Sequence, residues 1–475
     1  MTLLIASVIA YLIASILIGL YAARKVKTVA DYALAGRSLS FPVVVATTFA
    51  TWFGAETVLG VSATFAKDGL KGVVEDPFGS SMCLILVGFF FAGKLYRMHL
   101  MTIGDYYRQR YGKAVELLTS VIIVLSYMGW VAAQIKALGL VFNILAPEAI
   151  SPQAGMVLGT GIVLLYTLFG GMFSVAMTDF FQMIVIGVGL IVIAVFAAQS
   201  AGGFGVVVQA AANKDLLHFL PAAQPKEILF FIAAAITLML GSIPQQDVFQ
   251  RVMSSKNETI ATRGPIVGGV LYLLFAFIPM FVVVTALKVT PEMSGGLLEK
   301  DAQLVLPTFI MTQMPLFAQV MFFGALLSAI MSTASATILA PSTTLVENVF
   351  KNFAPSMSDK TMLRTLRITV FAFTAAVLLF ALNSSDSIYE MVKNAYKVTL
   401  VGAFVPLVMG LYWKRANNAG ALASIVLGIG TWVVFESAFA EVFPAQLAGL
   451  IAACVGMVSG SMLQKELPKS PSSSS

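Results

Sequence analysis

Apolar stretches long enough to cross a bilayer recur from one end of this 475-residue chain to the other. About 20 apolar residues are needed to span the hydrocarbon as a helix, and about thirteen segments of that kind can be marked. They lie near 2–23, 41–66, 73–96, 114–144, 153–169, 174–199, 227–247, 264–287, 316–349, 365–383, 387–412, 418–438 and 444–463. We number them span zero to span twelve. Backbone amides and carbonyls cannot stay unpaired in hydrocarbon, so a chain of this pattern folds as a bundle of helices. The composition agrees: 59% of residues are hydrophobic and 11% charged, where an ordinary soluble domain carries about a quarter charged residues. The expectation is an all-α polytopic membrane protein with a single transmembrane domain over 1–475.

The first span has no positive residue before it and is too long for the apolar core of a signal peptide. Arg24, Lys25 and Lys27 follow it, which places the N-terminus outside. Alternating the spans from there puts twenty of the 29 Lys and Arg inside and six outside, with Lys136, Lys393 and Lys397 within spans. The C-terminus is then cytoplasmic, in a multi-pass protein of the cell membrane. The net charge of +6 is explained by this topology rather than by a nucleic-acid partner. Two cysteines, Cys83 and Cys454, sit in apolar spans, and two histidines, His99 and His218, lie near span ends, so neither a disulfide framework nor a paired-histidine site is expected. Spans one to five (41–199) and six to ten (227–412) can be laid over each other as two halves of opposite topology. Around them stand the extra helix 2–23, two C-terminal helices within 418–463 and a disordered tail, 466–475. The longest connections are 200–226 and 289–315.

Span one cannot be an ordinary membrane helix. Residues 45–60 run Val-Ala-Thr-Thr-Phe-Ala-Thr-Trp-Phe-Gly-Ala-Glu-Thr-Val-Leu-Gly, with a weak helical run and an acid at mid-depth. An intramembrane acid is costly and reads by default as functional. Span six ends in Gly241-Ser242-Ile243-Pro244-Gln245-Gln246-Asp247, and Pro244 removes an amide and clashes with the preceding turn. Interrupted helices at matching positions of two halves are the sequence signature of a transport site. In span eight, Ser328, Ser332 and Ser335 share one helix face by their spacing. Their hydroxyls offer the hard oxygen ligands that a small hard cation prefers; equally, small residues let helices pack closely in membranes. Asp179, after the Gly170-Gly171 pair, fits either an ion site or a helix start stabilised by the dipole.

The stretch Tyr166-Thr167-Leu168-Phe169-Gly170-Gly171-Met172-Phe173-Ser174 resembles a motif of the sodium:solute symporter family. Ile103-Gly104-Asp105-Tyr106-Tyr107 with Arg110-Tyr111-Gly112 is similar to that family's loop after span two. The resemblance runs from about Asp31 to Lys414, and within the family it is nearest to the high-affinity choline transporter branch, through Trp52, Trp130, Ile243-Pro244-Gln245 and Phe249-Gln250-Arg251. It implies a LeuT-like fold with a 5+5 inverted repeat and sodium as the coupling ion. Carried over by position, the sodium site falls on the backbone carbonyls of Ala50, Phe53 and Ala329 and the hydroxyls of Ser332 and Thr333. For a second sodium, found in some members, Asp179 and Ser335 match, whereas Ala336 does not. The branch cages a quaternary ammonium with aromatic rings. Trp52 and Trp130 keep that character, while Ser80, Gln245 and about Asn394 replace three other cage aromatics. Glu75 aligns with a sugar-binding acid of another branch.

Charges take the place of the missing aromatics: Glu56, Glu75 and Asp76 on one side, Lys136, Lys393 and Lys397 on the other. Some of these either pair to hold helices together or line the cavity. Lys136 is two residues from Gln134, so the two cannot share one wall. Mixed charge suits an amino acid, betaine or other amine or zwitterion, bound by Trp52, Glu56, Glu75, Trp130, Gln245 and Asn394, with Glu56 meeting the ammonium. The reading is a sodium-coupled symporter importing a small polar organic solute by alternating access. Its partners are the solute and membrane lipid, with no protein partner called for. The alternatives are a transporter-like sensor and a sodium-independent channel or uniporter. An enzyme is not expected, because no nucleophile–base pair or metal cluster is present.

Overall fold

The computed structural model describes residues 2–354 and 357–463. Apart from one bridge between Leu39 and Ser255, the regular structure among them is helical. The tail 466–475 lies outside the described residues. Helix α1 (Thr2–Ala23) has no charged residue and packs against the helices Pro152–Ser200 and Leu316–Asn352. The short α2 (Val29–Leu34) is set by a capping box in which Thr28 and Asp31 satisfy each other's backbone amides.

Span one is two helices, α3 (Phe41–Trp52) and α4 (Glu56–Asp68), bent by 53°. Phe53 carries the break, with φ −85° and ψ 72°. Gly54 is required there by close approach: a Cβ would run into Glu56 Oε2, Thr333 Oγ1 and Gln134 Oε1. The first turns of α4, Glu56–Gly60, are π-helical, a widening that is frequent at functional sites. Helix α5 (Leu70–Tyr96) also opens irregularly, with Asp76 at φ −137°, ψ 121° inside the stretch Val74–Gly79. Helix α6 (Ile103–Tyr111) lies between spans and is started by a Thr102–Asp105 capping box. Helix α7 (Lys113–Leu145) follows.

The spans expected at 153–169 and 174–199 are the two arms of one helix, α8 (Pro152–Ser200), broken at Gly171. Its 49 residues rise about 73 Å, far more than the roughly 30 Å of hydrocarbon, so each arm serves as a span. Gly171 has φ 49° and sits on the Tyr32 carbonyl, so both its conformation and its lack of a side chain are needed. Of the two readings of Asp179, the helix start does not hold: it lies well inside the second arm and is fully buried. The two long connections are largely helical as well: α9 (Phe204–Asn213) in the first, and α13 (Pro291–Asp301) and α14 (Val305–Gln313) in the second.

Span six is α10 (Pro225–Gly241) and α11 (Gln246–Ser254), bent by 44°. The remaining helices are α12 (Glu258–Val289), α15 (Leu316–Asn352), α16 (Asp359–Asn383), α17 (Ile388–Tyr412), α18 (Asn418–Ala438) and α19 (Ala445–Leu463). Among the described residues, ten helices are long and apolar enough to span, and the two bent pairs raise this to twelve; the Gly171 break brings the number of spans to about thirteen.

One end of the bundle is closed by α6. The Ile103 N–H donates to Gln246 Oε1 at 2.8 Å, at the start of α11. Asn348, on the last turns of α15, accepts from the Thr102 hydroxyl at 2.6 Å and donates to Asp105 at 3.0 Å and to the buried Glu116 of α7 at 2.9 Å. Of the two cysteines, Cys83 is buried, while Cys454 faces outward from α19 and is not a core residue.

Candidate functional site

The first break is where span one meets span eight. The Thr333 hydroxyl donates to the Ala50 carbonyl at 3.4 Å. Ala329 lies one turn earlier on the same side of α15 and is fully buried. The non-helical ψ of Phe53 turns its carbonyl off the helix axis. Ser332 donates to Asp179 Oδ1 at 2.6 Å. Thr47 donates to the other oxygen of Asp179, and Thr51 approaches it at 3.5 Å. Asp179 therefore ties together α3, α8 and α15. It sits on Ser332 rather than on Ser335, whose hydroxyl turns back to the Ser332 carbonyl at 3.0 Å. A carboxylate, hydroxyls and carbonyls converge here, a set of hard oxygen donors suited to an alkali or alkaline-earth cation.

Glu56, at the start of α4, is 3% exposed. Its carboxylate accepts from Trp130 Nε1 at 2.8 Å and from Gln134 Nε2 at 2.7 Å, both on α7. Gln134 also accepts the Ala55 N–H at 3.0 Å, so the same side chain closes the broken end of the helix and holds the acid. The second break presents Asp247, fully buried. Trp52 Nε1 donates to it at 3.0 Å, the Tyr127 hydroxyl donates to its other oxygen, and its own N–H donates to Tyr127 at 2.8 Å. Between the two acids lies an aromatic group. Trp52 meets Trp130 edge-on at 5.6 Å and stacks on Tyr396 at 6.2 Å, Trp130 meets Tyr396 at 5.4 Å, and Tyr127 stacks on Trp130 at 6.0 Å. With each indole N–H drawn to a carboxylate, the rings form a buried, acid-flanked aromatic group, whose electron-rich faces are of the kind that attracts cations.

A cavity of ≈ 10 Å³ adjoins Glu56, bounded also by Glu75, Asp76 and Lys393, about the space of one water. Lys393 lies 3.7 Å from Glu75 and 3.7 Å from Glu390. Asp76 accepts from the Tyr272 hydroxyl, which is in turn 2.7 Å from the Thr57 hydroxyl. Gln245 is buried in the second break and donates to Ser126 at 2.9 Å and Thr399 at 3.4 Å.

Asn394 is a correction: it is exposed, on the far side of α17. The inward face of that helix is Tyr389, Val392, Lys393 and Tyr396, at the i, i+3, i+4, i+7 spacing of one stripe. Asn394 stands two residues from Val392 and Tyr396, which turns it away. Lys136 is not in the cavity either. Its ammonium caps the carbonyls of Ser384 at 3.1 Å and Asp386 at 2.6 Å, while Gln134 faces the site, in keeping with their two-residue separation. Lys397 pairs with Glu436 at 3.1 Å.

The sequence reading missed Asp247, Tyr127, Gln134 and Tyr396 as site residues. Asp247 met the same criterion as Glu56, an acid beside a helix break at mid-membrane. Arg251 was also missed: one turn after Asp247, it is 1% exposed and donates to the Asp247 carbonyl at 3.1 Å and to Thr51 at 2.7 Å. It thereby links the second break to the Thr47–Thr51 side of the first.

A family model described as the sodium:solute symporter family matches residues 32–428. The chain belongs to the sodium:solute symporter family. It is a membrane transporter rather than an enzyme, and sodium is its coupling ion. Among similar proteins, human high affinity choline transporter 1 is 29% identical over 447 residues, covering 90% of this chain and 75% of that one. The high-affinity proline transporter PutP of Bacillus subtilis is 26% identical over 460 residues, covering 92% and 94%. Among solved structures, a Na⁺-coupled sialic acid symporter in a substrate-bound outward-open state superposes with a TM-score of 0.82 at 20% identity, covering 97% of this chain and 98% of that one. MhsT in complex with L-phenylalanine gives 0.56 at 14% identity, covering 90% and 98%. These likenesses carry the LeuT-like fold expected from the resemblance.

Proposed function

We propose that this symporter uses inward sodium flow to import a small organic solute bearing an ammonium group, by alternating access. The observation that carries the reading is Glu56: an acid in the break of span one, held only by neutral donors from α7 and walled by Trp130, beside the oxygens of Ala50, Ser332, Thr333 and Asp179. In this reading the ammonium meets Glu56 and the faces of Trp52 and Trp130, and Gln245 lines the far side. Glu75 bounds the space. Sodium takes the carbonyls of Ala50, Phe53 and Ala329 and the hydroxyls of Ser332 and Thr333, with Asp179 adjoining through Ser332 and Ser335 one turn further. Bound there, sodium ties span one to span eight and favours the substrate-ready state of the two-state cycle. The names of the relatives agree with this class: a choline transporter carries a quaternary ammonium and a proline transporter an amino acid. The N-terminus lies outside and the C-terminus in the cytoplasm, by the positive-inside rule, with membrane lipid around the outer helices.

The test is uptake of labelled amines, betaines and amino acids into proteoliposomes with an inward sodium gradient, with potassium as control. Sodium-driven uptake of an ammonium-bearing solute is expected. Ser332→Ala and Thr333→Ala are each expected to raise the sodium concentration for half-activation by about tenfold, the effect of losing roughly one oxygen contact to a charge. Unchanged sodium activation in both variants would sink the ion assignment. Equal uptake in sodium and potassium would make the protein a uniporter.

A further inference from the structure

The charges around the Glu56 cavity do not balance. From α4 comes Glu56, met by Trp130 and Gln134, both neutral. From α5 come Asp76, met by the Tyr272 hydroxyl, and Glu75. The cation among the residues bounding the cavity, Lys393 of α17, is shared at equal distance between Glu75 and the half-exposed Glu390. Glu75 Oε2 has no hydrogen-bond partner, although the residue is 3% exposed and bounds the cavity. An ionised carboxylate is strongly disfavoured in a buried site unless a cation compensates it. A zwitterion does not correct this, because it adds as much negative charge as positive, and its carboxylate would find Lys393 already between two acids.

We propose that the transported solute carries two cationic nitrogens joined by a short methylene chain. This rests on the reading of Glu56 as an ammonium ligand and extends it. One ammonium meets Glu56 against the Trp130 ring, and the other meets Asp76 and the free oxygen of Glu75. Leu238 and Val392, with the ring of Tyr389, form the apolar part of the same wall and take the methylenes. The cavity widens from its present volume to admit the chain, as an alternating-access cycle requires. The preference for a zwitterion suggested by the mixed charges in the sequence is thereby replaced by a preference for a diamine, because Lys393 serves the protein's own acids.

The experiment compares three probes of equal chain length on the full chain in detergent or proteoliposomes: 1,4-diaminobutane, butylamine and 4-aminobutanoate. Each is titrated by thermal shift and by uptake, in sodium and in potassium. The diamine is expected to bind in sodium at least about tenfold more tightly than butylamine, the worth of one added charge-assisted contact. It is also expected to outcompete 4-aminobutanoate. Glu75→Gln and, separately, Asp76→Asn are each expected to lower diamine affinity at least about tenfold and to bring the ratio of diamine to butylamine affinity toward one. Sodium-dependent binding of butylamine or 4-aminobutanoate equal to or tighter than that of the diamine would overturn the second-nitrogen proposal and leave the function standing. So would a diamine preference that survives both variants. Absence of sodium-dependent binding for all three probes would overturn this proposal together with the amine reading. The wild-type comparison alone decides the matter if neither variant folds.

Discussion

The two helix breaks at the centre of this protein are built by different means and held by different neighbours. The first, between α3 and α4, is made by Phe53 and Gly54 and passes into a π-helical turn. Its acid faces a cavity, and its carbonyl side meets hydroxyls of α15. The second, between α10 and α11, is made at Pro244. Its acid is enclosed by Trp52 and Tyr127, and its Gln246 is bonded outside the spans to α6. Both acids are met by an indole N–H and one further donor, and Glu56 borders a cavity. The comparison teaches that interruption of the helix is common to both halves, while the work is divided. The first break turns an acid toward a cavity and a carbonyl toward α15, and the second holds Trp52 and Tyr127 and connects them to the end of the bundle.

That division can be broken most severely at Gly54. In Gly54→Ala the added methyl meets Glu56, Thr333 and Gln134 together, so both binding reactions are expected to fall below detection in sodium and substrate titrations, with a lower Tm. Retained affinity for either ligand would show that the two halves of the first break are independent.

The next largest contrast is between the two acids. Glu56→Gln is expected to weaken binding of an ammonium solute by about 10- to 100-fold, the range for losing a contact to a charged group, with sodium activation kept. Asp247→Asn is expected to lower the transport rate with a smaller change in affinity, because its partners are the protein's own Trp52 and Tyr127. Equal affinity losses would erase the distinction drawn here. A smaller effect is expected from Gln246→Ala, which leaves the Ile103 N–H without its acceptor. Removing one partner of such a buried bond costs about 1–3 kcal/mol, read as a lower Tm with unchanged sodium affinity. The smallest belongs to Asn394→Ala, expected to change neither uptake nor Tm; a substrate defect there would restore Asn394 to the site.

The breaks were legible in the sequence because they rest on local chemistry: a glycine before an acid, and a proline beside a second acid, inside apolar runs. The residues proposed for sodium came only from the family resemblance, since Ser332 and Thr333 look the same in sequence whether they pack or ligate. Which face of span ten looks inward was not legible. Neighbouring positions on a helix point about 100° apart, so a carry-over two positions from Tyr396 landed on the exposed Asn394. The Asp247–Trp52–Tyr127 group was hidden for another reason. Its members lie 195 and 120 residues apart, and only the folding of α3 and α7 against α11 brings them together.

The bond from Ile103 to Gln246 gives α6 a use beyond holding the bundle closed. One end of that short helix is fastened to the residue that begins α11, immediately before Asp247, and Gln109 on the same helix is exposed to solvent. By thermodynamic reciprocity, whatever solute binding does to the orientation of α11, displacement of α6 does to solute affinity. A fluorophore at position 109 therefore serves as a remote gauge of occupancy, and a binder that clamps α6 serves as an inhibitor that never enters the transport path.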